Sequence, residues 1–510
     1  VSGASSHITK EELIAENLRL KAELAELKRL IFGRKSERFV PDQAAAVAGQ
    51  LNLFVQHEHE ESEEKTVLQA VEAHSRKKAR PKRLKLPDDL PVVEVRIEPH
   101  PDEVEGWVKI GEEITEELDY VPGVLRINRY IRPKYARPKS EQSADTEGNN
   151  IFIAPLPSRV IDKGIPSAGL LAYILVSKFI DHLPYHRIIQ IFKRAGMEIP
   201  ASTVNGWVAK CVDLLRVLYL YHKARIMECA YLMADETKIR VLKVLNRTGK
   251  KGKAHQGYFW VYYDPGGKQV LFIYDPGRGG KYPREHLQGF QGHLQTDGYS
   301  VYDAFDQTEA ITLVGCMAHI RRKFEKALDN DKVRATQVLT KMQELYAIED
   351  EARKNGYSHE QRHALRQQQA RPIMDQLKAW LIDNRDQVLP KDTIGEAITY
   401  ASNRWKYMER YLDDGKLEID NNLVENAIRP VAIGRKNYLF AGSPQGAEWA
   451  AIIYSLLASA ATCGHNPSEY LKDILLRLPD QPLNYLDELL PSNWKPQTEG
   501  MAQGSLKQGA

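Results

Sequence analysis

Ala230-Tyr-Leu-Met-Ala-Asp-Glu-Thr237 is the stretch on which the fold of this chain turns. A short apolar run bounded by turn signals predicts a central strand buried on both faces. Asp235 is expected at its end. Two more acids sit in comparable frames. Asp297 follows Gly292-His-Leu-Gln-Thr296 and precedes Gly298-Tyr-Ser300, again a strand end. Glu425 lies in Asp420-Asn-Asn-Leu-Val-Glu-Asn-Ala-Ile-Arg-Pro430, which reads as a helix. Asn421 and Asn422 come one turn before it and Arg429 one turn after, so all four are expected on one side, where Asn421 or Asn422 would orient the glutamate or a phosphate oxygen of DNA.

Two strand-end aspartates and a helical glutamate make a cage for two divalent ions, Mg²⁺ or Mn²⁺. Such a pair activates one oxygen and stabilises another during attack at phosphorus. Mg²⁺ takes oxygen ligands and keeps waters, so a few carboxylates suffice. Without cations the cluster repels itself: each pair at about 4 Å costs roughly 4 kcal/mol at an effective dielectric of about 20. Asp264 and Asp275 each precede Pro-Gly and read as turn residues. Asp303 and Asp306 read as surface residues, Asp420 as a cap, and Glu236 is expected on the strand face opposite Asp235.

Strands continue around these acids. Tyr258–Tyr263, Val270–Tyr274 and Ile311–Gly315 are short and apolar, with Gly or Pro turns between them. Residues 319–415 then read as charged helices, and 419–429 and 445–478 as helices again. Strands, a long helical stretch and returning helices predict an α/β core with a helical insertion at about 325–415. His319, in Cys316-Met-Ala-His-Ile-Arg-Arg-Lys323, opens a basic helix. It is expected at the scissile phosphate, near a metal, or as a hydrogen-bonded histidine under the sheet. Arg321 and Arg322 point to DNA backbone or to a solvated face. Arg435 and Lys436, in Gly434-Arg-Lys-Asn437, are further phosphate donors, as is Arg429.

The front of the chain is organised differently. Leu13, Leu20 and Leu27 fall at d positions, with Asn17, Leu24 and Ile31 at a. A parallel dimer would follow, its register fixed by Asn17; the alternative is an amphipathic helix packed on its own chain. Arg34, Lys35 and Arg38 form a basic segment after it, completing a unit over 1–40. Residues 41–91 read as a charged linker, and 92–160 as a small β-rich module. Residues 161–225 are helical, with the helix–turn–helix shape over Tyr185–Ala195 and Ala201–Cys211. Ser202 or Thr203 is expected to cap the second helix. Thr203, Asn205 and Lys210 would face a groove, and Lys193 and Arg194 phosphates. An ordinary helical bundle has the same pattern.

Bulk properties set outer bounds. The 510 residues carry 43% hydrophobic and 27% charged content and a net charge of +3. Nucleic-acid affinity must therefore come from local patches. Cys211, Cys229, Cys316 and Cys463 are scattered, which fits a reducing cytosol and suggests neither a disulfide framework nor a zinc cluster. No signal segment is read at the N-terminus, where Val1 rather than Met suggests an alternative start or a fragment. Trp449–Cys463 is too short for a bilayer and reads as a buried helix.

Together these motifs resemble the insertion-sequence 66 family of bacterial DDE transposases. The resemblance runs from the leucine stripe and Phe32-Gly-Arg-Lys-Ser-Glu-Arg38, through Leu118-Asp-Tyr-Val-Pro122, Ala234-Asp-Glu-Thr237 and Leu294-Gln-Thr-Asp-Gly-Tyr299. It continues through Ala318-His-Ile-Arg-Arg-Lys-Phe324, Asp420-Asn-Asn-Leu-Val-Glu-Asn426 and Gly434-Arg-Lys-Asn-Tyr-Leu-Phe-Ala-Gly-Ser443. It implies an RNase H-like mixed-sheet core over 226–440 with Asp235, Asp297 and Glu425 as acidic triad, then a C-terminal helical region over 441–510. It implies a transposase that binds transposon ends and target DNA as a dimer or higher synaptic assembly, in the bacterial cytoplasm at the nucleoid, with or without accessory proteins of its element. An RNase H-like nuclease without joining activity and a non-catalytic DNA-binding regulator are the rivals. The family commonly carries a cysteine zinc module ahead of the helical region. Residues 92–165 contain no cysteine, so zinc is not expected there.

Overall fold

A computed structural model describes residues 158–161, 164–242 and 254–496, with Gly123, Leu125, Asn128 and the backbone of 134–136 and 151–153. The leucine stripe, the basic segment with Arg34, Lys35 and Arg38, the charged segment 41–91 and nearly all of 92–133 lie outside the described residues. The chain divides into two units, 1–46 with 131–510, and 47–130. All elements below belong to the first.

A short antiparallel pair, β1 (Lys134–Ala136) and β2 (Ile151–Ile153), precedes three helices. These are α1 (Ala168–Phe179), α2 (Tyr185–Arg194) and α3 (Ala201–Met227). The second helix of the expected helix–turn–helix runs well past Cys211. Its apolar face continues through Val212, Leu215, Leu218, Tyr219 and Ile226, all buried, so nothing stops it. Its 27 residues span about 40 Å. Neither Ser202 nor Thr203 caps it: Pro200 holds the N-cap position, and no side chain caps the helix.

A five-stranded sheet follows, in the order β5-β4-β3-β6-β7. Its strands are β3 (Tyr231–Val241), β4 (His255–Asp264), β5 (Gln269–Asp275), β6 (Gly292–Thr296) and β7 (Ile311–Val314). A short helix, α4 (Lys281–His286), joins β5 to β6. β3 is antiparallel to β4, and β4 to β5; β6 is parallel to β3, and β7 to β6. Tyr231 to Ala234 are all buried because both faces are covered here. Beyond Glu236 the strand alternates, with Thr237, Ile239 and Val241 in and Lys238 and Arg240 out.

β5 is an edge strand, and an open edge invites pairing with another chain. Helices close it. Ser459 and Ser455 accept the Val270 and Phe272 N–H groups, both at 2.8 Å. His222 and Tyr219 of α3 bond the carbonyls of the same two residues, at 3.0 and 2.9 Å. The edge's polar groups are thus satisfied without a sixth strand. After β7 come α5 (Met317–Ala327), α6 (Lys332–Lys354), α7 (His359–Leu365), a π-helical turn at Arg366–Ala370, α8 (Arg371–Arg385) and α9 (Thr393–Glu409). α10 (Asn422–Tyr438) returns to the sheet. α11 (Pro444–Thr462) carries the two serines, so the layer covering the sheet continues past residue 440. α12 (Pro467–Arg477) follows.

Candidate active site

Parallel pairing of β3 with β6 sets Ala234 opposite Thr296. The next residue on each strand is an aspartate, so Asp235 and Asp297 leave the paired segment side by side. Asp297 follows its strand, as expected. Asp235 does not: β3 continues six residues beyond it, because Glu236 to Val241 still pair with β4. Asp235 is therefore held within a strand rather than at its end.

Glu425 lies in the first turn of α10. The Asn421 side-chain amide donates to the Ala234 carbonyl at 3.1 Å, tying the start of this helix to the residue before Asp235. The Asn421 backbone N–H donates to Cys316 Sγ at 3.2 Å. Asp420 accepts the Asn422 N–H at 3.1 Å and the Tyr346 hydroxyl at 2.9 Å. Just past its far end the chain returns to β3, where the Ala441 N–H meets the Arg240 carbonyl at 2.8 Å. Glu425 and Arg429 are one turn apart on the helix, Arg429 exposed, while Asn421 is fully buried at the N-cap ahead of it. Asn421 and Asn422 fix the start of the helix; neither is turned to solvent as a phosphate donor.

The electrostatics match a gathered acidic site. Burial, then the charge of Asp297, pushes the Asp235 carboxyl well above the usual carboxylate range, with Glu236 and Glu425 adding to it. The Glu236 N–H donates to Asp235 Oδ1 at 2.7 Å. Asp297 Oδ1 accepts the Tyr299 N–H at 2.8 Å. Glu425 Oε2 accepts from Arg322 at 2.8 Å, while its Oε1 is buried with no hydrogen-bond partner and lies 4.0 Å from His319 Nδ1.

Hard carboxylate oxygens and an orphaned buried one are the donors a divalent ion takes. As the side chains stand, among the described residues no three or more His, Cys, Asp or Glu groups close around a common point. The donor chemistry fits Mg²⁺ or Mn²⁺, and Glu425 is held by Arg322.

A family model described as Transposase IS66 family matches residues 163–449, more than half of the chain, and spans all three acids. The chain belongs to the IS66 transposase family. Further models match the same transposase: the IS66 C-terminal element over 455–492, and a region described as Transposase C of IS166 homeodomain over 19–95. A zinc-finger binding domain of transposase IS66 matches 105–137, a stretch with neither cysteine nor histidine in this chain. Three uncharacterized proteins of Sinorhizobium fredii (strain NBRC 101917 / NGR234) are similar. Protein y4jD is 34% identical over 96% of this chain and 98% of its own length. Protein y4qI is 36% identical over 80% and 76%, and y4hP 30% over 93% and 88%.

Other site residues of this transposase are dispersed. Arg321 pairs with Glu325 at 2.9 Å. Arg435 is turned inward, donating to Thr237 Oγ1 at 2.7 Å and to the Lys238 carbonyl, so it braces β3 instead of awaiting phosphate. Lys436 and Arg429 are exposed on α10. Lys193 pairs with Glu198 at 2.9 Å across the turn between α2 and α3; Arg194, Asn205 and Lys210 are exposed and Thr203 is half-buried. Asp264 takes the Gly266 and Gly267 N–H groups at 3.0 and 2.9 Å, the expected turn role. Asp275 does more than turn the chain, meeting His286 at 2.9 Å. Asp303 and Asp306 pair with Arg404 and Lys406, anchoring α9 rather than facing solvent alone. Among the described residues no helix is long and apolar enough to cross a membrane.

Three positioning residues escaped the sequence reading. Gln295, fully buried, donates to the Gly315 carbonyl at 2.8 Å and the Glu418 carbonyl at 2.9 Å, and accepts from Tyr231. Arg278 bonds Glu236 at 2.6 Å and lies 3.9 Å from the centre of the Tyr299 ring. Tyr400 of the insertion reaches the Asp297 carbonyl. Gln295 had no clear sequence signal, since its strand reads Gly292-His-Leu-Gln-Thr296.

Proposed function

We propose that this IS66 transposase is a DDE-type enzyme that binds the terminal inverted repeats of its element, cleaves DNA strands there and joins the freed ends to target DNA. The observation that carries the reading is the pairing of Ala234 with Thr296 on neighbouring parallel strands, each followed by an aspartate, with the Glu425 helix tied to Ala234. The strand order, with antiparallel β3-β4-β5 beside parallel β6 and β7, supports an RNase H-like core.

Asp235, Asp297 and Glu425 would hold the divalent ions. Bound there, Mg²⁺ or Mn²⁺ supplies activation of the attacking oxygen and stabilisation of the leaving one. The chain's own part is placement. Asp235 sits in a paired strand, Asp297 in a turn closed by the Tyr299 N–H, and Glu425 on a helix anchored at both ends. In cleavage, a water oxygen bonds to phosphorus, the water gives up a proton, and the 3′ oxygen leaves as a hydroxyl. In joining, that hydroxyl loses its proton and bonds to a target phosphorus, whose own 3′ oxygen takes up a proton and leaves as a hydroxyl. Arg429 and Lys436, exposed on the glutamate's helix, are placed to hold backbone phosphate. The α2–α3 pair, the front segment with Arg34, Lys35 and Arg38, and dimerisation through Leu13–Ile31 are assigned to end recognition and synapsis.

The test is product analysis. Labelled end DNA, a target plasmid and Mg²⁺ are incubated with the full chain. Covalently joined end–plasmid product supports the reading. Cleaved ends alone identify a nuclease, and binding without either product identifies a regulator.

A further inference from the structure

Five polar groups line the seam between α5 and α10. Cys316, His319 and Arg322 recur every third residue at the start of α5, so they share one face. Opposite them stand Asn421 and Glu425. Cys316 Sγ accepts the Asn421 N–H and lies 3.3 Å from His319 Nδ1. His319 Nε2 lies 3.2 Å from Arg322 Nη1. An arginine only donates, so Nε2 is the accepting nitrogen and the ring proton sits on Nδ1. The imidazole thus steers one arm of the guanidinium, and the other arm donates to Glu425 Oε2 at 2.8 Å. Arg322 and Glu425 side chains are about one-third exposed, 32% and 29%, so solvent screens the pair only in part.

We propose that Arg322 is the built-in counter-ion of Glu425, occupying its carboxylate while no divalent ion is bound, and that the ion must displace it to complete the site. This rests on the reading of Asp235, Asp297 and Glu425 as metal ligands. Three carboxylates brought together repel one another unless something positive is near. The guanidinium supplies that charge, and it does so by drawing Glu425 toward α5. This accounts for a donor set that is right in chemistry and not yet closed around a point. Arg322 and the metal compete for the same carboxylate, so removing the arginine favours the metal twice: it frees the side chain to turn and deletes a nearby positive charge.

The experiment is Mn²⁺ titration of the full chain without DNA, reading free Mn²⁺ by electron paramagnetic resonance. Arg322→Gln is expected to bind Mn²⁺ roughly threefold to tenfold more tightly than the unaltered protein. Its melting temperature in EDTA should be lower, and Mn²⁺ should raise it by more than it raises the unaltered protein's. Arg322→Lys keeps the charge but loses the fork, and should fall between the two. Unchanged or weaker Mn²⁺ affinity in both variants overturns the proposal. Asp297→Asn separates the two levels of the argument. If that variant binds Mn²⁺ normally, the metal site itself is misassigned. If it loses Mn²⁺ while the Arg322 variants gain nothing, only the counter-ion role fails.

Discussion

The Tyr400 hydroxyl donates a 3.0 Å hydrogen bond to the backbone carbonyl of Asp297, 103 residues earlier in the chain. The helical insertion thus reaches back to hold the turn that carries the second aspartate. Gly298 completes this contact. Its φ is +88°, and a Cβ there would stand 2.8 Å from the Tyr400 hydroxyl oxygen. Gly298→Ala is expected to cost about 1–2 kcal/mol for the left-handed backbone alone, plus the clash. Tyr400→Phe loses one hydrogen bond, about 1 kcal/mol. The double variant should be more stable than the sum of the singles implies, by about 0.5–1 kcal/mol, since removing the hydroxyl removes the clash. Urea unfolding of the four proteins measures this coupling, and strict additivity contradicts it.

A buried arginine defines a second prediction. Arg366 is fully buried and uses its whole fork. It bonds both Glu349 oxygens at 2.7 and 2.9 Å and the carbonyls of Tyr411, Asp414 and Leu417 at 2.7 to 2.8 Å. Those carbonyls lie on the segment leading to Glu425. Arg366→Met should lower unfolding free energy by roughly 3–5 kcal/mol, because Glu349 Oε1 and three carbonyls lose their buried donor while Arg362 still pairs with Glu349 Oε2. Arg353, 40% exposed and paired with Glu418 at 3.0 Å, should cost under about 1 kcal/mol as Gln. Equal losses in urea melts would refute the contrast.

How much of this was legible follows from the physics of each feature. The apolar run before Asp235 and the turn frame after Asp297 are local signals, so both acids and their strands could be read directly. The extra length of β3 was also signalled, since Thr237, Ile239 and Val241 alternate with Lys238 and Arg240 as in a strand with one covered face, but Asp235 and Glu236 interrupt the apolar run before it. The true partners of Arg322 and Arg435 were hidden. A basic residue on a helix looks the same whether it faces DNA, a carboxylate 103 residues away or a strand carbonyl. Tyr400 had no signal at all, since its role depends on where the insertion folds back.

Lys178 of α1 gives a pH prediction. Its ammonium lies 4.0 Å from the Tyr438 ring centre and 5.0 Å from that of Tyr185. Burial lowers its pKa to about 8, against about 10.4 in an unfolded chain. The folded state therefore binds fewer protons between those values, and stability rises as pH climbs through that window. Below about pH 8 the cost of the buried charge is fully present. Lys178→Met should raise the melting temperature at pH 7, and the gain should shrink by pH 10. A gain of the same size at both pH values would contradict this origin.

The central claim is that three acids form one phosphodiester-processing site. Strand-transfer rate in Mg²⁺ tests it most directly, measured for Asp235→Asn, Asp297→Asn and Glu425→Gln with end-DNA binding checked in parallel. The account predicts that each single change lowers the joining rate by about a thousandfold or more, because groups that act as a unit fail together, while binding of the ends persists. Any one of the three retaining a rate within about tenfold of the unaltered protein would contradict it.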